Sequence, residues 1–549
     1  MKALLVGVNA KYIHTSLSVR TLCAYANTPD LSWTEFNINE DISAVCADIY
    51  HQKADMVLFS CYIWNIEFIL KLGRRLKSIS PGTLIILGGP EVSYSASEYM
   101  EKNSFIDGII TGEGEEALKQ IMSTGTLNHS GVVYRGTGDR IIITDSPGLI
   151  ADISEIPFPY TEADIEQNKN KLIYYESSRG CPFNCSYCLS STNHSVRYRS
   201  LELVFNELNF FIEHEVKIVK FTDRTFNANK SRTKQILEFL IQNVGKTTFH
   251  FEIAADILDN EIMSILESAP NGLFQLEIGV QSTNPKTLAA IDRKTDTAKI
   301  ASVAQKIRSF GNIHTHLDLI AGLPFEDYAS FKNSFNDVFA MKPHVIQLGF
   351  LKLLHGTKIR QTEVKDVFTA EPPYEVLQTE YITYDELLRL KAIEDIVEKY
   401  YNSGVFPKSV EYLINLFDTP FDFFENLADF YQEKGYDRIG ISRDKLYEIL
   451  HIFSGTLNNA DMSEFTDLLL FDYLKNNKPR TPDWAKREPV IKERFEILTE
   501  EFICKNLPEY INSNPKEIIK HIHFEHFLNP ERILIFDNKY DRVITLNHL

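Results

Sequence analysis

The stretch "RGCPFNCSYCLSS", Arg179 to Ser191, gathers Cys181, Cys185 and Cys188 within eight residues and supplies no fourth cysteine. Three thiolates at this spacing converge on one centre if they sit on a loop, and Pro182 with the small polar Asn184 and Ser186 predicts a loop. Arg179-Gly180 marks the end of a preceding strand. A structural zinc site wants four protein ligands, and His194, beyond Cys188, could complete a Cys3His set. A four-iron cluster on three thiolates instead leaves one iron open for a substrate or cofactor. The incomplete set is then the point of the site.

Six apolar, strand-like runs surround that loop: "KLIYYESS" (171–178), "VKIVKFTD" (216–223), "TFHFEIAAD" (248–256), "LFQLEIGVQS" (273–282), "NIHTHLDLIAGLP" (312–324) and "HVIQLGFLKLL" (344–354). Each is followed by a helical stretch or a polar loop, which predicts a six-stranded parallel sheet curling into a partial barrel. Polar residues fall late in the runs, at Glu176, Asp223, Glu252, Glu277 and Gln281. In parallel barrels that edge carries the chemistry. The cysteine loop follows the first of these strands, and "GVQS" (279–282) and "IAGLPFED" (320–327) end later ones, a context that favours the iron cluster over zinc.

The chain has 549 residues, too many for one core, so several domains are expected. Its 44% hydrophobic and 24% charged residues are those of a folded protein, and no apolar run reaches the ~18 residues needed to cross a bilayer. "MKALLVGV" (1–8) reads as a buried strand because no small-residue cleavage site follows it. A cytoplasmic protein is the expectation. The net charge of −18 argues against a broad phosphate-binding surface, so nucleic acid is not the expected partner. Cys23, Cys46, Cys61 and Cys504 are scattered among apolar neighbours and read as buried, inert thiols rather than a disulfide framework.

Before the barrel, residues 1–130 alternate short β-branched runs, such as "KALLVGV" (2–8), "DMVLFS" (55–60) and "TLIILGG" (83–89), with amphipathic stretches such as "NIEFILKLGRRLKSI" (65–79). The pattern predicts an α/β domain with a doubly wound parallel sheet and ligands at the carboxyl ends of its strands. "GVVYRGTGDRIIITD" (131–145) reads as a hairpin, and "SEIPFPY" (154–160) as an extended linker closing a connector of residues 131–170. The barrel is assigned to 171–360. Residues 361–549 form a mainly helical extension, with amphipathic helices at 384–404 and 442–455 and a closing hairpin at 533–546. "KHIHFEHF" (520–527) brings His521, His523 and His526 together, as a solvated or packed face or, second, as an extra metal site.

"CPFNCSYC" (181–188) resembles the CxxxCxxC loop of the radical S-adenosylmethionine superfamily, with the usual aromatic, Tyr187, before the last cysteine. The resemblance implies a [4Fe-4S] cluster on Cys181, Cys185 and Cys188, whose open iron takes the amine and carboxylate of S-adenosylmethionine. It also implies a low-potential donor of the flavodoxin or ferredoxin type and work without oxygen. "FTDRTFN" (221–227) stands where relatives carry a glycine-rich acidic motif, so Asp223 is the candidate for the methionine ammonium. Glu252, Glu277 and Gln281 are the next candidates for the ammonium or ribose, and Ala321, Gly322 and Leu323 of "LIAGLP" (319–324) for adenine. For each carboxylate the competing reading is an ordinary salt bridge at the barrel mouth.

A doubly wound domain ahead of such a barrel resembles the cobalamin-binding subclass, with a flavodoxin-like first domain and a partial (βα)6 barrel of TIM type. "LFSCYIW" (58–64) and "ILGGPEVSYSA" (86–96) match its third-strand serine and its glycine pair, and "GIITGEGEEAL" (108–118) its fifth-strand ending. The resemblance implies cobalamin contacts from Asn9, Ser60, Tyr62, Gly88, Gly89, Glu91, Gly112 and Glu113. The motif that supplies a lower axial histidine is missing. His14 in "NAKYIHTSL" (9–17) is the one candidate there, against a plain loop histidine.

The expected reaction is methyl transfer to an unactivated centre of a small molecule. The corrinoid would supply the methyl group and a 5′-deoxyadenosyl radical would activate the substrate. A cobalamin-dependent rearrangement, cyclisation or oxidation without methylation is the alternative, and modification of RNA a further one.

Overall fold

The computed structural model describes all residues except 147, 193–194, 363–365, 477–480, 486–499, 519 and 547–549. They form two compact units, Met1–Pro343 with Gln347–Leu387, and His344–Ile346 with Leu388–Leu549. No helix among the described residues is long and apolar enough to cross a membrane.

The first sheet is built from β1 (Ala3–Asn9), β2 (Leu31–Asn37), β3 (Met56–Ser60), β4 (Leu84–Gly88), β5 (Gly108–Ile110), β6 (Val132–Arg135) and β7 (Ile141–Ile143). Its order is β2-β1-β3-β4-β5-β6-β7. The first five strands are parallel and the last two antiparallel. The hairpin expected in the connector therefore pairs onto β5 and extends the sheet. Helices α1 (Leu17–Ala26), α2 (Ile42–His51), α3 (Ile66–Ile79), α4 (Pro90–Ser93), α5 (Ala96–Lys102) and α6 (Glu115–Thr124) follow the strands. β1, β3 and β4 are buried on both faces, so they read as continuous apolar runs. Leu4, Val57 and Phe59 pack with Ile69 and Leu72 of α3, while Leu5, Leu58 and Ile86 pack with Val19 of α1 and Leu118 of α6. The strand order reverses between β1 and β3, which opens a crevice at their carboxyl ends.

The second sheet has β8 (Leu172–Tyr175), β11 (Ile218–Phe221), β12 (Thr248–Ile253), β13 (Phe274–Gln281), β14 (His314–Ala321) and β15 (Val345–Phe350), in simple sequential order. The cysteine loop leaves through β9 (Ser178–Arg179) and returns through β10 (Arg197–Tyr198), an antiparallel two-rung ladder. Along β13 and β14 residues alternate between buried and half-buried. Leu276, Ile278, Leu317 and Leu319 are buried on the outer face. Glu277, His314, His316 and Asp318 occupy the inward positions. The lumen is therefore polar, where a barrel without a ligand site would be filled by aliphatic layers.

The C-terminal unit centres on buried aromatics, among them Tyr400, Phe424, Tyr431 and Tyr447. Its end carries the expected closing hairpin together with a further strand ahead of it. "IHFEHFL" is itself a strand, β18 (Ile522–Leu528), and pairs antiparallel with β19 (Glu531–Asp537), which pairs with β20 (Arg542–Leu546), after a small hairpin of β16 (Val367–Phe368) and β17 (Val376–Gln378) in the first unit. Strand periodicity puts His523 and His526 on opposite faces, and His521 precedes the strand. His523 is buried with Nε2 3.0 Å from Glu525 Oε2, His526 lies 3.4 Å from Glu531, and His521 is exposed. Cys504, expected buried, is exposed, and Cys23 is half-buried.

Candidate cofactor-binding site

Cys181 and Cys185 are buried and Cys188 half-buried. The loop between them turns through the Cys188 N–H to the Cys185 carbonyl, 3.1 Å. Ser186 fixes it from both sides: its N–H donates to the Ile291 carbonyl and its carbonyl accepts from Ile359, both at 2.9 Å. Burial pushes the Cys185 thiol up, and Arg293 works against it. His194 lies outside the described residues. Among those described, no three His, Cys, Asp or Glu side chains gather around a point that one ion could occupy. Three thiolates on one loop beside the Arg293 cation are a donor set that fits an iron–sulfur centre.

Arg293 was not anticipated. Its Nη1 lies 3.6 Å from Cys185 Sγ and 3.4 Å from the Tyr187 hydroxyl, and Nη2 donates to the Gly279 carbonyl at the end of β13. Its Nε is buried without an acceptor. A cleft of about 800 Å³ beside the loop is lined by Phe183, Asn184, Leu288, Arg293, Lys294 and Lys358.

The barrel-mouth carboxylates divide into engaged and open groups. Asp223 is 1% exposed and accepts from the Ser177 N–H and Oγ (2.8 and 2.7 Å) and from Ser178 Oγ (2.6 Å). Burial pushes its carboxyl up, against those hydrogen bonds. These bonds tie the end of β11 to the start of the cysteine loop. Glu277 is likewise engaged, 2.9 Å from Lys220 Nζ and 3.0 Å from His250 Nε2. Burial works upward on it, but His250 and Lys220 outweigh burial and hold it down at about 2.

Glu252 makes no side-chain hydrogen bond among the described residues, and burial pushes it up. Asp318, unanticipated, points inward from β14 with Oδ1 buried and unpartnered; burial, then Glu277 and Glu252, raise it well above the carboxylate range. Gln281 sits at φ 70° past a bulge at Gly279, its amide folded back over that glycine. Ala321 ends β14 with its carbonyl accepting from Leu351 N–H at 2.9 Å, Gly322 is covered by Val376, and Leu323 is buried. Arg293 with Glu252 and Asp318 suits an amino acid's carboxylate, ammonium and hydroxyl-bearing remainder.

At the first sheet's carboxyl edge, Gly7, Ser60 and Gly88 share one register row across β1, β3 and β4. Ser16 fills the space over Gly7, whereas a Cβ on Gly88 would meet nothing nearer than the Ile110 carbonyl at 3.6 Å. Gly89 sits at φ +108°, where a Cβ would lie 2.6 Å from the Cys61 carbonyl. Ser60 Oγ bonds Ser18 Oγ at 2.8 Å. Tyr62 stacks on Trp64, centroids 4.3 Å apart and planes within 7°, and Trp64 is 46% exposed. Trp64 too was missed; its signal was an aromatic two residues past Tyr62 at a strand end. The slot and flat aromatic face fit a corrinoid with a nucleotide tail.

Five other expected corrinoid residues make hydrogen bonds within the protein. Asn9 Nδ2 bonds the His14 carbonyl (3.1 Å) and Glu35 (2.8 Å), bracing the loop after β1. His14 Nδ1 lies 2.7 Å from the Tyr174 hydroxyl of β8, and Ile13 pairs with Leu172, so this loop covers the barrel's free edge. Glu91 is 3% exposed and accepts from Tyr99 and Tyr374. Glu113 is bound by Arg179 and Arg197. Burial works upward on Glu113, yet the two arginines hold it low. Gly112, at φ +67°, donates its N–H to Ser93 Oγ at 3.2 Å.

Residues 3–122 match the family described as B12 binding domain, 175–338 the Radical SAM superfamily, and 363–535 a family described as Protein of unknown function (DUF4080). The chain is 25% identical over 380 residues to the cobalamin-dependent radical SAM methyltransferase TokK of Streptomyces tokunonensis, covering 64% of this chain and 55% of that one. It is 27% identical to the 2-(S-pantetheinyl)-carbapenam-3-carboxylate methyltransferase of Streptantibioticus cattleyicolor, covering 53% and 45%. It thus spans about half the length of these curated relatives. In fold it is similar to the cobalamin-dependent S-adenosylmethionine radical enzyme OxsB, at TM-score 0.57 and 15% identity, over 85% of this chain and 78% of that one. The chain therefore carries a B12-binding domain over residues 3–122, with the glycine-lined sheet edge, followed by a Radical SAM domain over 175–338, with the cysteine loop at the mouth of its barrel.

Proposed function

We propose that the protein is a cobalamin-dependent radical S-adenosylmethionine methyltransferase acting on an unactivated centre of a small molecule. The observation that carries this reading is the three-cysteine loop at the carboxyl edge of a polar barrel, joined directly to the carboxyl edge of the B12-binding sheet. When bound, the cluster supplies the electron that splits the sulfonium and the corrinoid carries a methyl group.

Cys181, Cys185 and Cys188 would hold the cluster. Arg293 meets the methionine carboxylate with a charge that cannot be lost at neutral pH. Glu252 and Asp318 are the carboxyls left open for the ammonium and ribose hydroxyls. The Tyr62–Trp64 face and the Gly88–Gly89 slot receive the corrinoid, with no protein ligand assigned to the cobalt. Asp223, Glu277 and Glu91 keep the walls of the site rigid through their hydrogen bonds to Ser177 and Ser178, to Lys220, and to Tyr99 and Tyr374. A low-potential flavodoxin- or ferredoxin-type donor supplies electrons, and the cytoplasm, where thiols stay reduced, is the proposed compartment.

Anaerobic reconstitution with iron, sulfide and hydroxocobalamin tests this, with absorbance and metal analysis for both cofactors. Methylated product with both S-adenosylhomocysteine and 5′-deoxyadenosine supports the proposal. 5′-Deoxyadenosine alone would mean radical chemistry without methylation, and a bound zinc ion in place of iron would end the reading.

A further inference from the structure

The ladder that closes the cysteine loop sets two arginines opposite each other. Arg179 of β9 and Arg197 of β10 are direct antiparallel partners, a placement that ordinarily repels. Gly180 follows at φ +108°, where a Cβ would lie 2.3 Å from the Ser195 carbonyl, so the base of the loop is drawn tight.

The acid between them comes from the other sheet. Glu113, in the turn between β5 and α6, has Oε2 3.0 Å from Arg197 Nη1 and 3.3 Å from Arg179 Nη1. The arginines depend on it unequally. Arg179 also reaches Glu115 at 2.8 Å and Glu176 at 2.7 Å. Arg197 has no second carboxylate among the described residues; its other acceptor is the Ile150 carbonyl, and its Nε is buried without one. The side chains of Arg179, Arg197 and Glu113 are 18%, 11% and 14% exposed, so water screens the pairing little.

We propose that Glu113 is a positioning residue, a keystone from the B12-binding domain that keeps the base of the cysteine loop closed and so sets where the three thiolates stand relative to that domain's edge. Removing its charge leaves Arg197 unpaired against Arg179 in a poorly solvated place, and the ladder opens. Removing Arg197 as well relieves that repulsion, because Arg179 keeps Glu115 and Glu176. The inference rests on the proposed function only for what the loop and the sheet edge hold.

The test uses the full chain, anaerobically reconstituted, as wild type, Glu113→Gln, Glu113→Asp, Arg197→Gln and the double variant Glu113→Gln/Arg197→Gln. Iron loss to a chelator, the EPR line shape of the reduced cluster, and the pulsed-EPR distance between that cluster and cob(II)alamin are measured beside hydroxocobalamin affinity. Loss of a charged hydrogen bond predicts roughly tenfold faster iron loss in Glu113→Gln, with a broadened distance distribution and unchanged corrinoid affinity. Glu113→Asp should lie between, and the double variant should return most of the way. Equal iron loss and distances in wild type and Glu113→Gln would overturn the proposal, as would a double variant no better than the single one. A fall in corrinoid affinity alone would make Glu113 a cofactor contact instead. Should Glu113→Gln fail to fold, the double variant must still fold and hold its cluster. Should the wild type take up no cluster, amide exchange across 178–198 in the cofactor-free chain reads the clamp by itself: faster exchange in Glu113→Gln, restored in the double variant, is required.

Discussion

Arg293 Nη1 stands 3.6 Å from the Cys185 sulfur while Nη2 of the same guanidinium holds the Gly279 carbonyl, so one cation ties the cysteine loop to the end of β13. Arg293→Gln removes the charge without removing a thiolate. The KM for S-adenosylmethionine should rise roughly 10–100-fold, as for a lost charged hydrogen bond, with iron content unchanged. Arg293→Lys should fall between, since a point charge replaces a planar fork. Steady-state formation of 5′-deoxyadenosine checks it, and an unmoved KM would remove Arg293 from the cofactor's carboxylate.

Cys185→Ala should lose the cluster and all cleavage of S-adenosylmethionine while binding hydroxocobalamin as the wild type does, because the corrinoid slot lies on a different sheet. Iron and sulfide assays with a corrinoid titration decide it. Residual cleavage would refute the cluster assignment.

Gly89→Ala places a Cβ 2.6 Å from the Cys61 carbonyl at φ +108°. Backbone strain of this kind costs about 1–3 kcal/mol, so the melting temperature should drop and corrinoid affinity fall with it. Gly125→Ala makes the comparison: it is also at positive φ but has open space around it.

Acid should destabilise the first unit in two steps. Burial, then His250 and His314, lower His316 from 6.5 to about 4. The unfolded chain therefore binds the extra proton between about pH 6.5 and 4, and stability falls as pH falls through that window. Glu277, held at about 2 against 4.5, contributes stability above pH 4.5 that is lost on further acidification toward 2. His316→Gln should flatten denaturant midpoints between pH 6.5 and 4.5 and leave the lower step. An unchanged upper step would show that His316 does not titrate on unfolding.

The strand runs were legible because parallel strands buried on both faces must be continuously apolar, as "DMVLFS" and "TLIILGG" are. The small residues Ser60, Gly88 and Gly89 were legible as a close backbone approach. "KHIHFEHF" is the packed and solvated face of its first reading: a strand turns His523 and His526 to opposite faces, where each meets its own glutamate. Arg293 carried no local signal, since nothing in "AIDRKTD" (290–296) announces a cation that folds back onto a cysteine.

The chain alone determined the parallel strands of the two sheets and the loop with one thiolate too few, because both follow from local periodicity and spacing. Only the tertiary structure decided which carboxylates are open to a ligand. Asp223 is closed by serines about 46 residues away, Glu91 by a tyrosine 283 residues away and Glu113 by an arginine 84 residues away, while among the described residues Glu252 makes no side-chain hydrogen bond and Asp318 Oδ1 has no partner. A carboxylate's availability is set by the charge and donors that packing brings within a few ångströms, and that proximity is written in no neighbouring residue.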